Sequence, residues 1–364
     1  MIIDSTYIEI TNICNLNCRD CYNSSGLNKE RVDIPVEVIK NYIDEVLKIN
    51  ERSDSNFSFS GGEPLLHLKW DEIAKMTQEY CNRINPPKGE KPKEGQKTIS
   101  FSLVSNGTTY NERIYKLLAE NRAYNIQYSL DGCDEETNAK TRGSGYFQKV
   151  IDTVKNNKFV HKPTLKMVIS QYNKHQIEEY YRFVVELGCM PNFAFINHMG
   201  NAVEDWEQKT ILPKEKVRIV QLIESLDKEY DLKTNPPYMT LGCPLPDKTQ
   251  GRSLLIKPTG QIHPCQMFYS ELSEIGSIYN FDVEEVENRL DDFAKLIEER
   301  NKIDFGCSKC FCASQCKKGC PGLAVEAYNG LNFADSGCSF RKTYFAKIVA
   351  DSTNNTKQET VCNV

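Results

Sequence analysis

Cys14, Cys18 and Cys21 stand in the run Cys14-Asn-Leu-Asn-Cys18-Arg-Asp-Cys21, directly after the β-branched, apolar segment Tyr7-Ile-Glu-Ile-Thr-Asn-Ile13. Three thiolates this close, on a loop that follows a strand, can hold three corners of a cubic iron–sulfur cluster. The fourth iron then lacks a protein ligand. An open iron binds a substrate or cofactor, whereas a fully ligated cluster only passes electrons. A zinc knuckle is the plainer alternative, but a structural zinc site wants four ligands. Neither a His nor a fourth Cys lies near this run, so it favours the cluster.

Such a loop needs a scaffold. At 364 residues the chain is long enough for two or three domains, or for one barrel with an appendage. A net charge of −5 supplies no global basic field for nucleic acid. The start, Met1-Ile-Ile-Asp-Ser-Thr, lacks the basic and apolar regions of a secretory signal, and no apolar run approaches a membrane span. A cytosolic protein is expected. Disulfides are rare in that compartment, so of the 15 cysteines the clustered ones, eleven in two groups, read as metal ligands, and soft thiolates select zinc, copper(I) or iron–sulfur centres.

The first 200 residues alternate strand and helix patterns. Strands are expected at Tyr7–Asn12, Asn56–Ser60, Thr98–Val104, Asn125–Leu130, Thr164–Ser170 and Asn192–Asn197. Helices are expected at Pro35–Ile49, His67–Ile84, Glu112–Asn121, Tyr146–Asn156 and Lys174–Leu187. Six strands in βα alternation imply an α/β fold with a parallel sheet, an incomplete barrel with right-handed crossovers. Chemistry in such folds gathers at the C-terminal ends of the strands, where the Cys14 loop falls. The polar stretch Pro86–Gln96 reads as an exposed loop. A helical bridge, including Lys214–Tyr230, is expected over 201–240. From about Leu241 the periodicity fades and cysteine density rises, and the polar tail 351–364 is expected to fray.

Three more loops follow expected strands: Ser60-Gly61-Gly62-Glu63-Pro64, Ser105-Asn106-Gly107 and Ser129-Leu-Asp131-Gly132. Adjacent glycines allow a ligand close to the backbone, and Glu63 offers an anionic acceptor. Ser105, Asn106, Ser129 and Asp131 offer short polar groups suited to ribose hydroxyls. Arg142 can pair with a carboxylate. Singly these are ordinary turn signals; together, in this order, they resemble the radical S-adenosylmethionine (SAM) family, as do the C-x3-C-x2-C spacing and Tyr22 behind it. The resemblance covers roughly residues 5–200. It implies a partial (β/α)6 TIM-like barrel, with the Gly-Gly-Glu-Pro loop on the amino group of SAM and Arg142 on its carboxylate. It also implies a shared first step: the reduced cluster splits SAM, and a 5′-deoxyadenosyl radical abstracts hydrogen from the substrate. Asp20 is a departure, since many members carry an aromatic residue just before the third Cys, near the adenine.

The C-terminal third carries Cys243, then Gly260-Gln-Ile-His-Pro-Cys265, then Cys307-x2-Cys310-x5-Cys316-x3-Cys320 and Cys338. Zinc sites would suit the Cys307-x2-Cys310 spacing equally well. Beside the first motif, the pattern resembles the loop-rich SPASM extension of radical SAM enzymes, which holds two auxiliary [4Fe–4S] clusters. The resemblance assigns Cys307, Cys310, Cys316 and Cys338 to the outer cluster, and Cys243, Cys265 and Cys320 to the inner one. Cys320 thereby ties the two cluster loops together. Such a module depends on its metals for stability. For the inner cluster no fourth Cys follows Cys243. Either Asp247 or another non-thiolate group binds, or the fourth iron is open to a substrate thiolate or to water. The implied domains are a barrel over 1–200, the bridge over 201–240, the extension over 241–350 and a flexible tail over 351–364.

The resemblance implies action on a peptide or protein, through a cross-link, thioether, oxidised residue or epimer. A small-metabolite oxidation and a non-catalytic scaffold are the other classes. In the similar anaerobic sulfatase-maturating enzymes an Asp base follows the Cys of the Gly-x4-Cys segment; here that residue is Gln266, which cannot take up a proton. The chain starts almost on the first strand, so a leader peptide would be bound by the barrel or by a separate protein. An external donor of the flavodoxin or ferredoxin type is implied. Cys133 could return a hydrogen atom to a substrate radical, although a partly buried structural thiol is the commoner case. His198 could line the pocket. Cys81, Cys189 and Cys312 read as structural, and Cys362 as inert in the tail.

Overall fold

Strand β1 (Ile3–Thr11) is flanked on both sides by parallel partners. On one side β2 (Ser55–Gly61), β3 (Ile99–Ser105), β4 (Tyr124–Ser129), β5 (Thr164–Ile169) and β6 (Met190–Phe195) follow in sequence order, all parallel. On the other side lie β7 (Arg252–Ile256), parallel to β1, and the antiparallel β8 (Gln261–His263) and β9 (Gly276–Ser277). The order β6-β5-β4-β3-β2-β1-β7-β8-β9 is an α/β, incomplete-barrel sheet. The computed structural model describes residues 1–51, 53–87, 90–109, 113, 116, 124–156, 162–234, 236–237 and 240–361. The helix expected over Glu112–Asn121 falls almost wholly outside them.

Period-two patterning sets the faces of the sheet. In β3, Ile99, Phe101 and Leu103 are sealed while Ser100, Ser102 and Val104 are only partly covered. The sealed side meets the helices: Phe101 stacks between Phe57 and Phe59 and touches Tyr80 of the helix Trp70–Ile84. The helix Val36–Ile49 buries Ile39, Tyr42, Ile43, Val46 and Leu47, one stripe of a 3.6-residue repeat. The opposite faces of β3–β6 present Val104, Gln127, Ser129, Lys166, Val168 and Ala194 to the barrel interior.

The six expected barrel strands all form, with ends shifted by up to four residues. Of the helices that escape the sequence pattern, which also include Pro321–Tyr328 and Cys338–Val361, two are capped by an aspartate side chain. One is the short polar helix Glu135–Arg142, capped by the Asp134 side chain on Thr137 N. The other is Val283–Lys302, in the region where periodicity fades; it buries Val286, Leu290, Phe293 and Ile297 and is capped by Asp282. The sheet also crosses the boundary expected at 241, because β7 registers along β1 from Ile3↔Arg252 to Ile8↔Ile256. The last helix, Cys338–Val361, runs through most of the expected tail, a stretch with neither Gly nor Pro to stop it. Its Phe340 packs edge-on against Phe195. No helix among the described residues is long and apolar enough to cross a membrane.

Phe101→Ala should cost about 3–5 kcal/mol, since it empties a fully buried site between two rings. Urea unfolding of the metal-free chain measures this.

Candidate functional site

A cavity of about 300 Å³ opens at the C-terminal ends of β1–β6, a volume at the lower end of the range for small-ligand sites. Cys14, Cys18 and Cys21 line it, with Tyr22, Gly61, Gly62, Ser105, Asn106, Ser129, Asp131 and Arg142. The fold thus gathers nearly every site residue expected for the barrel on one wall system. Burial pushes the Cys14 thiol up to about 12 and the Cys18 thiol to about 11. Metal binding here would therefore release protons. Three soft thiols on one cavity, with no fourth cysteine lining it among the described residues, suit a cluster with one open iron.

The cysteine loop is held from outside. Asn201 N donates to Cys21 O at 2.8 Å and Asn201 Nδ2 to Cys18 O at 3.2 Å. Arg19 N donates to Thr141 O at 2.8 Å, and Asn106 Nδ2 lies 3.5 Å from Cys14 Sγ. Gly200 adopts φ +57°, and a Cβ there would run into the carbonyls of Cys21 and Tyr22. Asp20 takes no part in an aromatic wall. It forms a buried ion pair with Lys209 at 3.0 Å, and Lys209 also donates to Asn201 O. Lys209, Gly200 and Asn201 were not legible as site residues; they come from the segment after β6.

Two expected ligand contacts are otherwise engaged. Glu63 is wholly buried and does not line the cavity: it accepts from Ser105 Oγ at 2.8 Å, Asn106 N at 2.7 Å and Leu65 N at 3.3 Å. It pins the β2 loop to the β3 loop. Gly61 and Gly62 press against β1, with Gly62 N donating to Thr11 O at 2.8 Å. Arg142 pairs with Asp131 at 2.8 Å, and Asp131 also accepts from Thr141 Oγ1 and Val168 N. Cys133 is no cavity residue. Its thiol lies against Gln176 O, is pushed up to about 12 by burial, and fits the structural reading. His198 stands edge-on to Trp206 and is not among the cavity residues.

An unforeseen acidic centre lies behind Tyr22. Glu9 of β1 is fully buried, and burial raises its carboxyl. It accepts from Tyr22 Oη at 2.5 Å, Tyr269 Oη at 2.8 Å and Asn23 Nδ2 at 3.2 Å. Tyr269 belongs to the C-terminal third and carries Lys257 over its ring at 4.2 Å. The available signal was a carboxylate inside the otherwise sealed run Ile8-Glu9-Ile10. Gln266 and Met267 of the same third complete the cavity.

In the C-terminal field, Cys243, Cys265 and Cys320 lie close enough to influence one another electrostatically, and burial raises all three thiols. Cys316 likewise neighbours Cys338, and Cys310 Sγ lies 3.5 Å from Cys312 Sγ. Cys81, Cys189 and Cys312 are buried, as expected of structural thiols, and Cys362 lies outside the described residues. Asp247 is exposed and accepts from Thr249 and Gln250, capping its own turn.

Residues 8–184 match the model of the Radical SAM superfamily. Mycofactocin maturase MftC of Mycolicibacterium smegmatis is 22% identical over 338 residues, covering 89% of this chain and 79% of that protein. The solved structure of anSMEcpe with bound AdoMet superposes with a TM-score of 0.71 at 20% identity, covering 96% of this chain and 99% of that one. Streptococcus suis SuiB bound to precursor peptide SuiA gives 0.69 at 16% identity, covering 93% and 76%. The parallel sheet, the cysteine loop and this match make residues 8–184 a radical SAM domain.

Lys209→Met should destabilise the chain by about 3–5 kcal/mol by leaving Asp20 buried and unpaired, and adding Asp20→Asn should recover most of that loss. Chemical unfolding of the two variants checks the pair. Glu63 predicts a pH dependence. Burial raises its carboxyl from 4.5 to about 7, so the folded state binds more protons and stability falls as pH rises across that window. Glu63→Gln should flatten this slope in unfolding midpoints.

Proposed function

We propose that this radical SAM enzyme abstracts a hydrogen atom from a peptide or protein substrate held at the cavity mouth, leading to a cross-link, thioether, oxidised residue or epimer. The observation that carries the reading is the convergence of Cys14, Cys18 and Cys21 with the strand-end loops on one cavity. Its cofactors are SAM and [4Fe–4S] clusters. Cys14, Cys18 and Cys21 would hold the cluster, which would supply the electron for reductive cleavage of SAM and so the hydrogen-abstracting chemistry.

The protein's own residues bind, orient and exclude water. Gly61, Gly62, Ser105, Asn106, Ser129 and Asp131 line the walls available to SAM. Arg142 and the cavity-lining Lys166 supply cationic groups for its carboxylate, with Asp131 fixing the Arg142 guanidinium. Tyr22 is oriented by Glu9. Gln266 brings an amide from the C-terminal third to the cavity, so a base there of the sulfatase-maturase kind is not supplied by that residue. A peptide substrate is supported by the maturase named among the relatives and by the precursor peptide bound to SuiB on a shared fold. Cys243, Cys265 and Cys320, and Cys307, Cys310, Cys316 and Cys338, hold the two auxiliary clusters in this reading. A separate leader-binding protein, a flavodoxin- or ferredoxin-type donor and a cytosolic setting complete it, the last supported by the unpaired cysteines.

Anaerobic reconstitution with iron and sulfide counting, alongside a 5′-deoxyadenosine assay, tests this. Cys18→Ala should reduce 5′-deoxyadenosine to background, whereas Cys316→Ala should lose auxiliary iron. Zinc in the parent in place of iron, or full SAM cleavage by Cys18→Ala, would overturn the assignment.

A further inference from the structure

Arg341 is among the largest fully buried side chains, only 2% exposed. All three of its guanidinium nitrogens have partners. Nη1 donates to Asp335 Oδ2 at 2.8 Å, Nη2 donates to Asp335 Oδ1, and Nε donates to Cys316 Sγ at 3.0 Å. Asp335, equally buried, also accepts from Cys320 N at 3.0 Å. One carboxylate–guanidinium pair therefore touches a cysteine of each expected auxiliary cluster. The packing is built around it: a Cβ on Gly319 would fall within the guanidinium, and Gly319 takes φ +68°. In sequence, Asp335 and Arg341 stand three residues before and three after Cys338.

A buried ion pair is a poor source of stability, since apolar residues of the same volume often serve as well. Here the pair has a second consequence. A metal-bound thiolate is an anionic acceptor, and an N–H donor on its sulfur stabilises the more negatively charged state of the cluster. The reduced form gains more than the oxidised form, so the potential rises. Asp335 occupies both terminal nitrogens and leaves only Nε to face the sulfur.

We propose that Arg341 is a positioning residue that raises the reduction potential of the outer auxiliary cluster through its Nε–H to Cys316, with Asp335 fixing the fork and linking it to the Cys320 backbone. This rests on the cluster reading of the C-terminal cysteines. The test uses the full chain, reconstituted anaerobically, with potentiometric titration followed by electron paramagnetic resonance. In Arg341→Met one auxiliary couple should move to lower potential. In Arg341→Lys, which keeps the charge but loses the fork, it should lie between Met and the parent. The couple of the Cys14–Cys21 cluster should stay where it is. Unmoved auxiliary couples in iron-replete variants would overturn the proposal, as would loss of auxiliary iron from both variants, which would mark a role in the fold alone. Metal analysis of the parent comes first: zinc or no metal in the C-terminal third refutes the cluster reading, while clusters with unmoved couples refute only the role of Arg341.

Discussion

A loop of eight residues carrying three thiols has too few contacts of its own to keep them on one cavity, so its backbone must be fixed by its neighbours. In this chain the restraints arrive from four directions. The β3 loop reaches Cys14 through Asn106, and Thr141 takes the Arg19 amide. Asn201 holds the carbonyls of Cys18 and Cys21, and Lys209 neutralises Asp20. Buried backbone groups that lack partners are costly. The loop after β6 satisfies two such groups, and this makes a segment nearly 200 residues away part of the site.

The sheet makes that convergence possible. Parallel strands point their C-terminal ends the same way, so the loops after β1, β2, β3 and β4 open on one cavity. β1 is also where the two halves of the chain meet, because it pairs with β2 on one edge and β7 on the other. Glu9 repeats this junction at the level of side chains: its carboxylate holds Tyr22, beside the cysteine loop, and Tyr269, from the C-terminal third. The C-terminal third thus shares the barrel's sheet, contributes Gln266 and Met267 to its cavity and shares its buried acid.

Reading ahead of the fold succeeded where a local pattern has one physical cause. The alternation in Ile99–Ser105 and the stripe of Val36–Ile49 each announce their element. It failed for β8 and β9, three and two residues long, which are too short to show a period. It failed for Glu135–Arg142, a polar helix defined by its Asp134 cap and by packing. Glu63 is the instructive case. A carboxylate beside two glycines reads as a ligand group, yet its three donors are all protein groups, and its contribution to the site is to lock two loops together.

The sequence by itself determined the donor chemistry: which thiols are clustered, that the first three lack a fourth, and that polar and glycine-rich loops follow successive strands. Those are properties of spacing, and spacing survives unfolding. Only the tertiary structure decided which polar groups face the cavity and which are consumed in holding it. Asp131, Asp20 and Arg341 carry charges whose ion-pair partners lie 11, 189 and 6 residues away, and Glu63 meets neutral donors 42 and 43 residues on. A buried charge must find its counterpart wherever the fold brings one, and no local pattern encodes that choice.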